Sequence, residues 1–118
     1  MKHYNRLRNR YEQGEIWVVE FPDSHGHEQT GIRPVIVLAR AEADIVLVVP
    51  CTSNVQALRF PNTLEIEPSK KNGLHELTIA LIFQLRAIDK TRMKHKIGEV
   101  EENVLNEIDH SIRLLLQL

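Results

Sequence analysis

A chain of 118 residues has room for one domain with one core. Apolar and charged fractions of 42% and 26% exclude global disorder, and no run approaches the ~18 apolar residues that a membrane span needs. A formal net charge of −1 excludes a bulk coat for nucleic acid, since non-specific coating is driven by phosphate neutralisation.

The opening MKHYNRLRNRYEQGE is basic but has no apolar segment behind it, so residues 1–13 read as a basic extension and a cytoplasmic protein is expected. GEIWVVEF (residues 14–21) is β-branched and aromatic, and Gly14 and Pro22 bound it as a strand. PDSHGHEQTGI breaks every periodicity; at roughly ten residues it exceeds a usual hairpin loop and predicts a functional loop or lid. PVIVLAR and DIVLVVPC read as two strands joined by a polar turn at residues 41–44. Neither alternates, which predicts burial on both faces, inside a barrel or between a barrel and a partner.

TLEIEP (residues 63–68) alternates as a half-exposed strand, and KKNG behind it is a turn. LTIALIFQLRAI (residues 77–88) admits one strand, two strands or a helix, with Thr78, Ile79, Ile82 and Phe83 favouring strand. Val100, Val104, Ile108 and Ile112 recur every four residues, and Leu105 and Leu115 widen the stripe. An amphipathic helix from about Glu101 follows, with Glu101 and Glu102 in its first turn and Arg113 in its last, the polarity a helix dipole prefers. Short strands ending in one helix predict a mainly β fold with minor α: a small barrel closed or flanked by that helix, as one domain over residues 14–118.

Charge is patterned although it nearly cancels. Lys2, Arg6, Arg8 and Arg10 crowd the N-terminus, and Arg86, Lys90, Arg92, Lys94 and Lys96 form a second basic run containing only Asp89 as an acid. Glu99, Glu101, Glu102, Glu107 and Asp109 gather in the C-terminal segment, so a basic and an acidic face are expected. The single cysteine, Cys51, makes neither a disulfide framework nor by itself a zinc site. No phosphate-cradling glycine loop, CxxC pair or HExxH occurs. His25, His27 and Glu28 lie too close together on one loop to form a preorganised cage, so no metal is expected.

One polar constellation stands beside the buried strands. Arg33 opens the first strand of the central pair, while Thr52, Ser53 and Asn54 end the second. An antiparallel hairpin turning at residues 41–44 brings both groups to its open end, a forked guanidinium beside hydroxyl and amide donors. In isolation these residues fit equally an ordinary surface ion pair and the start of a turn.

GEIWVVEFPDSHGHEQTGIRPVIVLA resembles the opening of the MazF/PemK toxins, whose signature runs from a Gly-acid-apolar strand through a glycine loop to Glu-Gln-x-Gly-x-Arg-Pro. VVPCTSN resembles that family's second motif, FPNTLEI its next strand and QLRAIDKTRMKHKIGEV the approach to its terminal helix, in the family's order from Gly14 onward. The resemblance implies an SH3-like barrel of the MazF/PemK/CcdB kind with a C-terminal helix. It also implies a homodimer, a cognate antitoxin protein, and cofactor-free, metal-independent cleavage of single-stranded mRNA. Arg33 matches the family's catalytic arginine and Thr52 its catalytic threonine or serine, and Glu28 and Gln29 fall on the loop over the site. Ser53, Asn54, Gln84 and Arg86 are further candidates for substrate binding. Glu15 stands where the family more often has Asp, and Phe83 precedes Gln84 where many members carry Glu. The alternative is a CcdB-like gyrase poison or another non-nucleolytic binder on the same barrel. Arg33 and Thr52 together argue against it, since a pure binder needs neither.

Cleavage without a metal proceeds by attack of the adjacent 2′-hydroxyl. Such an enzyme must place that oxygen in line, stabilise the phosphorane and move two protons. Arg33 suits the second task as a bidentate clamp, and Thr52 adds a donor. The general base stays open between Arg33, as the resemblance implies, and His25 or His27, which are chemically better proton carriers. An antitoxin tail is expected across the basic run from Lys90 to Lys96.

Overall fold

The computed structural model describes residues 11–21 and 31–118. His25, His27, Glu28 and Gln29, with most of the extension and of the predicted loop, lie outside them. The elements are β1 (Glu15–Phe21), β2 (Gly31–Arg40), β3 (Ile45–Thr52), β4 (Thr63–Ile66), β5 (Thr78–Leu81), β6 (Arg86–Asp89), β7 (Met93–Glu99) and one helix, α1 (Glu102–Leu116). The seven strands form a single antiparallel sheet in the order β4-β5-β3-β2-β1-β7, with β6 also on β3.

β3 changes neighbours along its length, and this bends the sheet. Its first half, from Ile45 to Val48, pairs with β6, while Cys51 and Thr52 pair with Ala80 and Ile79 of β5. The segment that the sequence left between strand and helix is thus two short strands, split by a 3-10 turn over Ile82–Gln84. A one-residue offset in the β2–β3 ladder adds to the curvature.

Each face of the bent sheet carries its own apolar cluster. Val19, Phe21, Val35, Val37, Val46, Val48, Ile88 and Met93 fill one side, joined by Tyr11, whose ring meets Trp17 edge-on at 4.9 Å. Ile16, Ile36, Val49, Cys51, Ile66, Ala80 and Ile82 fill the other, joined by Val100 just ahead of α1 and by Ile108 within it. Consecutive residues of β2 serve both clusters, and Val35, Ile36 and Val37 are all 0% exposed. The unbroken apolar runs are therefore satisfied within one copy of the chain, and their apolarity is no argument for a second. Burial in the second cluster also pushes the Cys51 thiol up to about 12.

β7 was not expected as a strand. Its residues read as charge, yet it pairs along β1, and its cations are matched there: Lys96 Nζ lies 3.2 Å from Glu15 and 3.4 Å from Glu99, and Lys94 Nζ lies 3.7 Å from Glu20. Lys90 meets Asp44 at 3.3 Å. The expected basic face is thus locally neutralised by acids of β1, of β7 itself and of the β2–β3 turn. The largely exposed pairs contribute little stability each, but together they interrupt the positive surface along Lys90, Lys94 and Lys96 that an acidic tail would follow.

Candidate functional site

The β2–β3 ladder runs from Arg40↔Val46 to Val35↔Pro50. Arg33 and Thr52 stand two residues beyond that last pair on their respective strands, at the open end of the hairpin. Arg33 is also paired with Val19 of β1, and Thr52 with Ile79 of β5, so strands on both flanks fix the two backbones. Both side chains line one cleft of about 250 Å3, with Ser53 beside them.

Thr52 is only 6% exposed, so it belongs to the wall of the site and not to its rim. Its Oγ1 accepts a hydrogen bond from the Asn54 backbone N–H at 3.2 Å. A hydroxyl has two lone pairs and one proton, so this bond orients the group and leaves its O–H able to donate into the cleft. Asn54 in turn caps the 3-10 turn Val55–Arg59, its Oδ1 accepting from Gln56 N–H at 3.0 Å.

The opposite wall comes from a segment that begins in the KKNG turn and continues past it, over residues for which the sequence suggests no role. Gly73, Leu74, His75 and Glu76 line the cleft that holds Arg33 and Thr52. Asn72, fully buried, holds this segment: its Oδ1 accepts from the N–H groups of Ser69 (2.9 Å) and Leu74 (3.0 Å), and its Nδ2 donates to the Glu67 carbonyl (2.8 Å). The loop then lies directly on β7. A methyl group at Gly73 would collide with the Ile97 carbonyl, and one at Gly98 with the backbone of Asn72. Ser69 Oγ donates to Glu101 at 2.6 Å, which ties the loop to the start of α1 and holds the Glu101 carboxyl below its usual range. His75 is thereby delivered to the cleft from a position distant in sequence. The surviving signal was Asn-Gly at residues 72–73, which marks a special backbone but not its destination.

The remaining candidates divide. Asn54 and Gln84 line a second hollow, about 610 Å3, which shares Thr52 with the first. Arg86 lines neither; its guanidinium stands 4.8 Å from the Phe21 ring, on β6. Among the described residues no group of three or more His, Cys, Asp or Glu is arranged to hold a metal ion, and no helix is long and apolar enough to cross a membrane.

A bent antiparallel sheet with one C-terminal helix, presenting an arginine and a buried hydroxyl at the mouth of its central hairpin, defines a class of small β-fold proteins with a polar cleft. The family of PemK-like, MazF-like toxins of type II toxin-antitoxin systems matches residues 12–116, and the chain belongs to it. Endoribonuclease EndoA of Bacillus subtilis (strain 168) is 26% identical over 111 residues, spanning 91% of this chain and 95% of that protein. The fold is that of MazF from Deinococcus radiodurans, with a TM-score of 0.75 at 23% identity over 91% of this chain and 96% of that one. An endoribonuclease in complex with its cognate antitoxin, from a mycobacterial species, superposes with a TM-score of 0.67 at 18% identity over 93% and 96% of the two chains. The sheet is thus the barrel-like arrangement expected from the sequence.

Proposed function

We propose that this toxin-family chain is an endoribonuclease that cuts single-stranded mRNA by 2′-hydroxyl attack at the cleft between Arg33 and Thr52. The observation that carries this is their convergence on one cleft from adjacent strands, with Thr52 held by Asn54. A guanidinium offers two parallel N–H donors to non-bridging phosphate oxygens, and the negative charge they meet grows as the phosphorane forms. The Thr52 hydroxyl donates to the same group. The 2′-oxygen bonds to phosphorus, the P–O5′ bond breaks, and the products end in a 2′,3′-cyclic phosphate and a 5′-hydroxyl. One proton leaves the 2′-hydroxyl and one reaches the departing 5′-oxygen. Imidazole is the side chain suited to such transfers near neutral pH, so His75 joins Arg33, His25 and His27 as a proton carrier.

The reading extends to its partners. We propose a cytoplasmic homodimer that a cognate antitoxin neutralises; Leu114, Leu116 and Leu118 at the end of α1, all more than half exposed, support a covered surface there. Sedimentation at micromolar concentration showing only monomer would count against the dimer. A gyrase-poisoning or purely binding role is not favoured, because it gives Arg33 and the oriented Thr52 hydroxyl no task.

Incubating the purified protein with single-stranded RNA in EDTA tests the activity. Discrete cuts with cyclic-phosphate ends are expected, and a substrate with a 2′-deoxy nucleotide at the cut should resist. Absence of cutting, or strict dependence on added metal, would overturn the reading. A limb of the pH–rate profile that disappears in His75→Ala would identify the proton carrier as His75, whereas its loss only in a His25→Ala, His27→Ala double variant would place it on the loop.

A further inference from the structure

Two of the residues that line the Arg33–Thr52 cleft form one dipeptide, His75-Glu76, and the fold ties that dipeptide at both ends. Before it, the Leu74 N–H donates to Oδ1 of the fully buried Asn72 at 3.0 Å. After it, Oγ1 of Thr78, itself 3% exposed, donates to the Glu76 carbonyl at 2.9 Å. Thr78 opens β5, and the next residue, Ile79, is the ladder partner of Thr52. His75 and Glu76 are thus carried to the cleft by a backbone fixed on one side to the loop that lies on β7 and on the other to the strand beside Thr52. Among the described residues that line the cleft, His75 is the one imidazole and Glu76 the one carboxylate, and Arg33 is the only other charged side chain.

We propose that this dipeptide performs both proton transfers of the cleavage: the Glu76 carboxylate is the general base that takes the 2′-hydroxyl proton, and the His75 imidazolium is the general acid that protonates the departing 5′-oxygen. The inference rests on the endoribonuclease reading of the cleft and completes it, because Arg33 and Thr52 answer for the charge on the phosphorane and not for the protons. A guanidinium holds its protons too firmly to exchange them readily. A carboxylate is ordinarily free of its proton at neutral pH, and imidazole is the side chain best suited to hold one there and give it up, so the two together are loaded for the forward reaction. As the 2′-oxygen bonds to phosphorus, its proton passes to Glu76; as the P–O5′ bond breaks, the His75 proton passes to the 5′-oxygen. The step leaves a 2′,3′-cyclic phosphate, a 5′-hydroxyl, a neutral carboxyl and a neutral imidazole. Both side chains are exposed, so exchange with water restores their starting forms.

Glu76→Gln and His75→Gln each remove one proton carrier and leave the backbone bonds at Leu74 and Glu76 in place. Single-turnover cleavage by each folded variant should fall by about 100-fold or more, the usual contribution of one such group, while affinity for an uncleavable 2′-O-methyl copy of the RNA stays at the wild-type value. The wild-type rate should rise and then fall with pH; Glu76→Gln should lose the rising limb and His75→Gln the falling one. RNA with sulfur in place of the bridging 5′-oxygen at the cut separates the two roles, because a thiol ionises far more readily than an alcohol and leaves without a proton. On that substrate His75→Gln should match wild type, and Glu76→Gln should remain slow by about 100-fold. Wild-type rates on ordinary RNA in either folded variant would overturn the assignment. So would rescue of Glu76→Gln by sulfur, or failure of sulfur to rescue His75→Gln, which would leave the dipeptide as wall and not as acid and base. Failure of the wild type to cut any RNA would sink the nuclease reading itself, whereas cutting that both variants retain would sink only this pair.

Discussion

The two hollows that meet at Thr52 are built from opposite materials. The cleft with Arg33 is assembled from strand ends and a loop pinned by a buried asparagine, whose carboxamide bonds three backbone groups. The hollow with Phe60 and Phe83 is formed mostly from short 3-10 turns and the residues beside them, and its two rings remain more than a third exposed. Rigid donors suit a charge that develops only in the transition state, whereas an adaptable aromatic surface suits an RNA strand that must enter and leave. The contrast assigns the chemistry to the first hollow.

The strongest challenge to that division is Thr52→Val, which keeps the volume of the wall and removes the hydroxyl. The cleavage rate at saturating RNA should fall by about 100-fold to 1,000-fold, the usual cost of a transition-state donor. Because Thr52 is buried and accepts from Asn54 N–H, the variant should also lose about 1 kcal/mol of stability, so a urea melt must accompany the kinetics. A loss confined to KM would move Thr52 from chemistry to binding.

Asn72→Ala tests whether the pinned loop builds the cleft. Three hydrogen bonds in a fully buried site are lost and their partners stranded, so stability should fall by about 3 kcal/mol in chemical denaturation. Binding of the uncleavable 2′-O-methyl RNA should survive in the folded fraction while cleavage drops. Equal loss of both would mean that the two hollows form one unit.

A smaller effect separates the loop's tether from its pin. The Glu101 carboxyl, held low by Ser69, binds its proton less readily in the folded than in the unfolded chain, so the contact stabilises the fold above the ordinary carboxylate range and loses its effect as pH falls through the folded value. The stability gap between wild type and Ser69→Ala should therefore be present at pH 7 and close well below pH 4.5, the ordinary value. A gap independent of pH would show that the hydroxyl acts by packing alone.

Smallest of all, and outside both hollows, is Ala43→Gly. Ala43 and Asp44 both adopt left-handed φ, 59° and 63°, at the hairpin turn that sets the register of Arg33 against Thr52. Glycine carries no Cβ penalty there and should stabilise the fold by under about 1 kcal/mol without altering cleavage.

The central hairpin was legible because its signals are local: two β-branched runs, a short turn, and polar residues at the far ends. The helix was legible for the same reason, through its four-residue repeat. β7 was not, because MKHKIGE shows mainly its charges, and the acids that neutralise its lysines come mainly from β1. His75 was hidden likewise, since its place depends on Asn72 and on two glycines that allow backbones to touch. Aromatic residues make up only 5% of the chain, yet two of the three phenylalanines stand together. Composition counts side chains and does not say which of them meet.

The most direct test is the single-turnover rate of Arg33→Ala on an RNA that wild type cuts, measured on protein whose melt and sedimentation match wild type. Removal of the charged, bidentate donor should lower that rate at least as far as Thr52→Val, by 100-fold or more. Wild-type cleavage by folded Arg33→Ala protein would contradict the assignment of chemistry to this cleft.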